Sequence, residues 1–250
     1  MINKFSYVMD IGEQMLISGA EVHRVEESIS RMCYALGASR VDVFIITSSM
    51  VVTVRTQDGQ DHTQTRRITA INTNIERLHL LNGLCRNICK NGFDEEKVSE
   101  ALERAVNCPA YSRWVELICY AVIAAAFTLF FGGGVADAAV SAIVGIIVAC
   151  SVFFGNKVIP NKIFGKFLSS AVSTLAAFCA LRFGWISTVD SVIIGNIMTL
   201  IPGIGLTTAI RDLFTGDSIA GILRSVEAVL TALAIAAGYF LVAFLGGYAL

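Results

Sequence analysis

From residue 113 to residue 250 the chain carries 13 charged side chains in 138 positions, whereas residues 1–112 carry 26. A helix needs about 20 apolar residues to cross the hydrocarbon core of a bilayer. The charge-poor part offers five such stretches, near 114–131, 135–154, 163–181, 189–206 and 228–250. Residues 1–112 hold 12 Lys+Arg and 14 Asp+Glu, close to the roughly 25% charge of an ordinary soluble domain. The expected organisation is a soluble domain over 1–112 and a polytopic, all-α membrane domain of five transmembrane helices over 113–250. With 55% hydrophobic residues and a formal net charge of −1, a purely soluble enzyme, a disordered chain and a nucleic-acid binder driven by basic charge are excluded.

Within 1–112 the hydrophobic period changes twice. Phe5, Val8, Met9, Met15 and Leu16 recur at helical spacing, then Val22, Val25, Ile29, Met32 and Leu36, with Gly37 placed to cap the second helix. Val41, Val43 and Ile45 alternate, 50–56 is rich in Val and Thr, and Asp58-Gly59 favours a hairpin turn before 62–68 returns. Thr73-Asn74-Ile75-Glu76 fits a capping box ahead of the stripe Leu78, Leu81, Cys85, Ile88. Val98, Ala101, Leu102 and Ala105 mark a last helix before Pro109. The order α-α-β-β-β-α-α predicts a small α+β domain.

This domain lacks a Gly-rich phosphate loop, a Cys-x-x-Cys pair and a His-Glu-x-x-His motif. Seven cysteines, three of them in apolar runs, fit a reduced compartment. Cys85, Cys89 and His79 have metal-ligand chemistry, but a buried helix face accounts for their spacing. Glu21, Arg24 and Glu27 share a helix face, as do Glu27 and Arg31. Carboxylates at that spacing suit acid–base work, and an exposed ladder of ion pairs is the competing account. No catalytic residue, metal or cofactor is expected. Met1-Ile-Asn-Lys leads into a segment broken by Asp10 and Glu13, so no signal peptide is expected.

Basic residues set the expected orientation. With the N-terminal domain cytoplasmic, the inside receives Arg113, Lys157, Lys162, Lys166, Arg211 and Arg224, and the outside only Arg182. Five spans then place the C-terminus outside. The fourth span is the least regular. Asn196 and Thr199 lie three apart, and Pro202-Gly203-Ile204-Gly205 interrupts the apolar run ahead of Thr207, Thr208, Arg211 and Asp212. Such a break exposes backbone groups that bind polar solutes in transporters. Arg211 suits a carboxylate; a kinked helix with an interfacial Arg211–Asp212 pair is the structural alternative. Asp212, Asp217 and Glu227 are candidate proton carriers, with pairing to Arg211 and Arg224 as the alternative.

Two segments carry a family resemblance. Gly19-Ala20-Glu21-Val22-His23-Arg24-Val25-Glu26-Glu27 resembles the N-terminal signature of the threonine/serine exporter family. Residues 202–212, then Gly216-Asp217, Gly221, Arg224 and Glu227-Ala228, resemble its membrane motif. Thr208 departs from the family, which commonly has Asn there, a difference bearing on the solute and not the fold. The resemblance implies a non-enzymatic export subunit of a bacterial inner membrane, moving threonine, serine or, as in split members linked to succinate export, a dicarboxylate. No nucleotide motif is present, so a proton or ion gradient is the expected energy source. Full-length members carry a second membrane half, so the chain resembles the split form, which works with a small membrane subunit. Small-residue surfaces at 132–134, 138–139, 176–177 and 234–238 would admit partner helices, those of the small subunit or of a larger oligomer. The rival is a membrane-anchored hydrolase or ligand sensor acting through residues 1–112. The join at 109–114, without a Gly/Ser linker, suggests that the soluble domain gates access.

Overall fold

The computed structural model describes residues 2–109, 111–158 and 161–247, with side chains except at 2 and 156–158. The interdomain join at Ala110, the Lys157 side chain and the end of the last expected span, 248–250, lie outside the described residues. The described residues form two compact units. Unit 1 is Met1–Ala110 with Ile204–Ser225, and unit 2 is Tyr111–Gly203 with Val226–Leu250. The second segment of unit 1 was not anticipated from the charge boundary at residue 112.

Unit 1 contains α1 (Ile2–Ile17), α2 (Val22–Ala35), β1 (Arg40–Ile46), β2 (Ser49–Arg55), β3 (Asp61–Arg67), α3 (Ile75–Asn91) and α4 (Glu95–Val106). The strands form an antiparallel meander in the order β1-β2-β3, with Val43 opposite Val52 and Arg55 opposite Asp61. Alternation along β2 sends Met50, Val52 and Val54 into the core. There they meet the apolar stripes of α1 and α2 and the Leu81, Cys85 and Ile88 face of α3. Val8, Met9, Met15, Val25, Ile29 and Met32 are fully buried. Cys85 packs against Met15, whereas His79 and Cys89 are exposed, so the three do not converge. The α3 cap falls one residue later than Thr73: Asn74 Oδ1 accepts the Arg77 N–H at 2.9 Å. Asn serves this position as well as Thr, and the register leaves Glu76 short of the reciprocal capping-box position.

Unit 2 contains α5 (Arg113–Phe130), α6 (Val135–Val158), α7 (Lys162–Arg182) and α8 (Val189–Ile197). α9 (Gly203–Thr215) and α10 (Ser218–Leu245) follow, with the boundary between units falling at their first residue and at Ser225–Val226 respectively. Among the described residues, four helices are long and apolar enough to cross a membrane: Arg113–Phe130, Val135–Gly155, Lys162–Arg182 and Ser218–Leu245. The stretch 189–206, expected as the fourth span with a break at 202–205, is divided between α8, which ends at Ile197, and α9, which starts at Gly203. α8 has nine residues, about 14 Å at 1.5 Å each, and ends five residues before Pro202. Pro202 lacks the N–H that would bond the Met198 carbonyl, and its ring crowds that carbonyl, so its effect reaches four residues back. The earlier end coincides with short-range bonds from the Thr199 and Leu200 N–H groups to the Asn196 and Ile197 carbonyls, and with Thr199 Oγ1 donating to the Asn196 carbonyl. The last expected span begins ten residues earlier than 228, because the first turns of α10 belong to unit 1.

Close helix contacts in unit 2 depend on residues without a side chain. A Cβ at Gly195 would lie 2.8 Å from the Ala124 carbonyl, and one at Gly238 would lie 2.3 Å from that of Phe167. The small-residue stretch 234–238 thus packs, at Gly238, against the chain's own α7. Ile118, Val122, Ile143 and Phe240 are each more than 60% exposed, a surface suited to lipid and costly in water.

Candidate functional site

The first four N–H groups of any helix lack an intrahelical acceptor. At the start of α2, Glu21 stands at the N-cap but its side chain makes no capping bond. Asp212, on α9, supplies the acceptor: its Oδ1 takes the Val22 N–H at 3.2 Å. A carboxylate at this end also meets the positive pole of the helix dipole. Asp212 is fully buried and Arg224 is 9% exposed. Arg224 Nη1 lies 3.3 Å from Asp212 Oδ2, an ion pair without the alignment of a hydrogen bond. Its Nη2 donates to the Ala20 carbonyl at 3.0 Å. The chain reaches that carbonyl through Gly19, whose φ of 88° places it in the left-handed region. Burial pushes the Asp212 carboxyl above its ordinary range, against the pull of Arg224 and the Val22 N–H.

Around this buried pair lie four more charged groups. Arg211 Nη1 donates to Glu21 Oε1 at 2.9 Å, at a rim where the arginine is 62% exposed. Asp217 donates its backbone N–H to the Asp212 carbonyl and accepts from the Gly221 N–H, each at 2.9 Å. Its carboxylate converges with Glu26 and His23: one donor atom from each lies within 4.8 Å of the others. Glu26 Oε1 accepts the Ile45 N–H at 3.2 Å, tying α2 to β1. Burial, then the charge of Asp217, pushes Glu26 up to about 7, against the Ile45 N–H and His23. Two carboxylates this close hold a proton more readily than either would alone. One imidazole and two carboxylates are also the donor types that bind divalent cations.

Unit 1 therefore brings together Glu21, Glu26, Arg211, Asp212, Asp217 and Arg224, from the two sequence motifs that stand about 190 residues apart. Arg24 and Glu27 lie on the exposed side of α2, held by Asn82 at 3.3 Å and Arg31 at 3.5 Å. Thr208 Oγ1 bonds back to the Ile204 carbonyl, and Thr207 is exposed on α9. Asn196, Thr199, Pro202, Gly203 and Glu227 fall in unit 2 instead. Glu227 is exposed.

In unit 2, Asn196 is fully buried. Its Nδ2 donates to the Val192 carbonyl and to Ser141 Oγ, both at 2.9 Å. A carbonyl only accepts, so the amide orientation is fixed. Ser141 Oγ in turn receives Thr128 Oγ1 at 2.7 Å. Asn196 Oδ1 is left buried without a hydrogen-bond partner among the described residues, an acceptor available to a donor group. Sequence reasoning missed Thr128 and Ser141; each is an isolated hydroxyl in an apolar run, a weak signal on its own. It also missed Asp137, whose carboxylate accepts from the Gly134 and Ser187 N–H groups and from Thr188 Oγ1, at 3.0, 2.7 and 2.6 Å.

A family model described as "Putative threonine/serine exporter" matches residues 6–246. A threonine/serine exporter of Corynebacterium glutamicum is 24% identical over 235 residues, covering 91% of this chain and 48% of that protein. Pheromone-regulated membrane protein 10 of Kluyveromyces lactis is 20% identical over 263 residues, covering 99% of this chain and 26% of that protein. The chain spans about half or less of the length of these relatives. No solved structure matches.

Proposed function

The chain belongs to the threonine/serine exporter family, and on that premise we propose that it is a subunit of an exporter for small carboxylate metabolites. The solute is threonine, serine or a dicarboxylate such as succinate, and the energy source is a proton or ion gradient. The chain works in a bacterial inner membrane with its N-terminus cytoplasmic and its C-terminus outside. The observation that carries this reading is the Thr128–Ser141–Asn196 network beside the end of α8, with a free acceptor on Asn196. Transporters place solute sites where a membrane helix is broken and polar groups are left to bind, and this network lies beside the break after α8.

Sidedness supports five crossings. Residues 1–110 and 204–225 share one unit, hence one face of the bilayer. Three long apolar helices lie between them, an odd number, so 183–203 recrosses through α8 and its irregular continuation. α10 then makes the fifth crossing. The site residues divide accordingly. Asn196, Thr199, Pro202 and Gly203 serve the solute path. Glu21, Glu26, Arg211, Asp212, Asp217 and Arg224 form a cytoplasmic coupling site in which Glu26 and Asp217 exchange a proton. The partner in this reading is a small membrane subunit of the same family.

Proteoliposomes holding this chain and its small subunit, loaded with threonine, serine or succinate under an imposed pH gradient, test the proposal. Export of one of these solutes that falls at least tenfold in Asn196→Leu supports it. Parental flux in that variant removes Asn196 from the path, and absence of flux for all three solutes overturns the solute class.

A further inference from the structure

A cleft of about 930 Å³ opens between α2 and α3, within the size range of small-molecule sites. Its walls carry five cations and two carboxylates. Both carboxylates are engaged, Glu27 by Arg31 at 3.5 Å and Glu21 by Arg211 at 2.9 Å. Arg24 is held by the neutral amide of Asn82, which orients the guanidinium without cancelling its charge. Arg86 and Lys90 stand one turn apart on α3, both exposed, with no ion-pair partner among the described residues. Like charges at this spacing repel, and an anion bound between them would relieve that repulsion. Excess cations on two facing helices, with arginine forks among them, match a ligand bearing more than one negative charge.

We infer that this cleft binds a multivalent anionic group, a polycarboxylate or a phosphate. Arg24 reaches it from α2, Arg86 and Lys90 reach it from α3, and the exposed Arg31–Glu27 pair opens to admit it. Every residue lining the cleft belongs to unit 1, and the inference does not rest on the export reading.

Cys89, an exposed thiol on the cleft wall, reports occupancy. The full chain is treated with N-ethylmaleimide in neutral detergent micelles while citrate, succinate or inorganic phosphate is titrated at constant ionic strength. Peptide mass spectrometry follows each thiol. At least one anion is expected to slow Cys89 modification tenfold or more while Cys108, which does not line the cleft, reacts unchanged. The double substitution Arg86→Ala with Lys90→Ala should raise the half-protecting concentration at least tenfold without changing thermal unfolding. A second arm compares nanodiscs of zwitterionic and anionic lipid. Protection by anionic lipid alone assigns the group to a headgroup, and protection by soluble anions in micelles assigns it to a free metabolite; either supports the site. Cys89 reactivity indifferent to every anion and to lipid charge overturns the inference, as does equal protection in the double variant.

Discussion

The two units solve the burial of polar groups in opposite ways. Unit 1 buries a full ion pair, Asp212 with Arg224, and satisfies it with the free N–H of a helix start and the carbonyl just before it. Unit 2 buries mainly neutral groups, Thr128, Ser141, Ser170, Ser173, Thr174 and Asn196. Its one fully enclosed carboxylate, Asp137, sits at a helix end with three donors. Charge is buried in this chain where unpaired backbone at a helix terminus can meet it. Within helices, where the backbone is already bonded, the buried groups are hydroxyls and an amide, several returning a bond to their own helix.

The contrast can be broken most forcefully at Arg224. Arg224→Met leaves Asp212 buried without its counter-ion, which typically costs about 3–5 kcal/mol. Thermal unfolding of the full chain should drop sharply, and the pair Arg224→Met with Asp212→Asn should recover much of the loss. A single variant no less stable than the parent would show that the pair is not jointly buried. The matching change in unit 2 is milder. Ser141→Ala removes one neutral partner from Thr128 and Asn196, each of which keeps a carbonyl acceptor, so about 1–2 kcal/mol is expected in the same assay.

A third test concerns Glu26. Its carboxyl titrates near 7 in the folded chain against an ordinary 4.5. The folded state therefore holds the proton more tightly, so the Glu26 contribution to stability is fully present below about 4.5 and is lost as the pH rises through 7. Glu26→Gln should flatten that decline and be the more stable form above pH 7, by about 1 kcal/mol once solvent screening is allowed for. Unfolding midpoints between pH 4.5 and 8 check the sign. The smallest effect belongs to the rim. Arg211→Ala breaks an exposed pair worth about 0–1 kcal/mol, so a large loss of flux with near-parental stability would mark a role in transport. Arg211→Lys should rescue only in part, since the fork geometry is lost.

Local signals were legible in the sequence. Gly37 follows α2 at φ 89°, Gly59 takes φ 79° in the β2–β3 turn, and the helical stripes of α1 to α3 match the buried core. Both motifs that meet in unit 1 were also visible. Their meeting was not, because Val22 and Asp212 are 190 residues apart and no periodicity encodes such a contact. The same gap hid the partners of Arg224, which reads in the sequence as an interfacial charge ahead of the last span and is bound in unit 1 to Ala20 and Asp212. The break in 189–206 was legible from Pro202-Gly203, whereas its early onset after Ile197 was not. Hydropathy over 189–206 is continuous, but Asn196 and Thr199 redirect backbone bonds that hydropathy does not register.

The Asp212 cap has a consequence for biogenesis. A ribosome adds about 5–20 residues per second, so Val22 waits roughly 10–40 s for an acceptor encoded 190 residues downstream. Throughout that interval the nascent chain presents an α2 whose first turn is open and an Ala20 carbonyl without its arginine, while the apolar helices between them are being threaded into the bilayer. Completion of the N-terminal fold is thus scheduled after insertion, and a chain stalled before Arg224 would expose an unfinished domain to quality control.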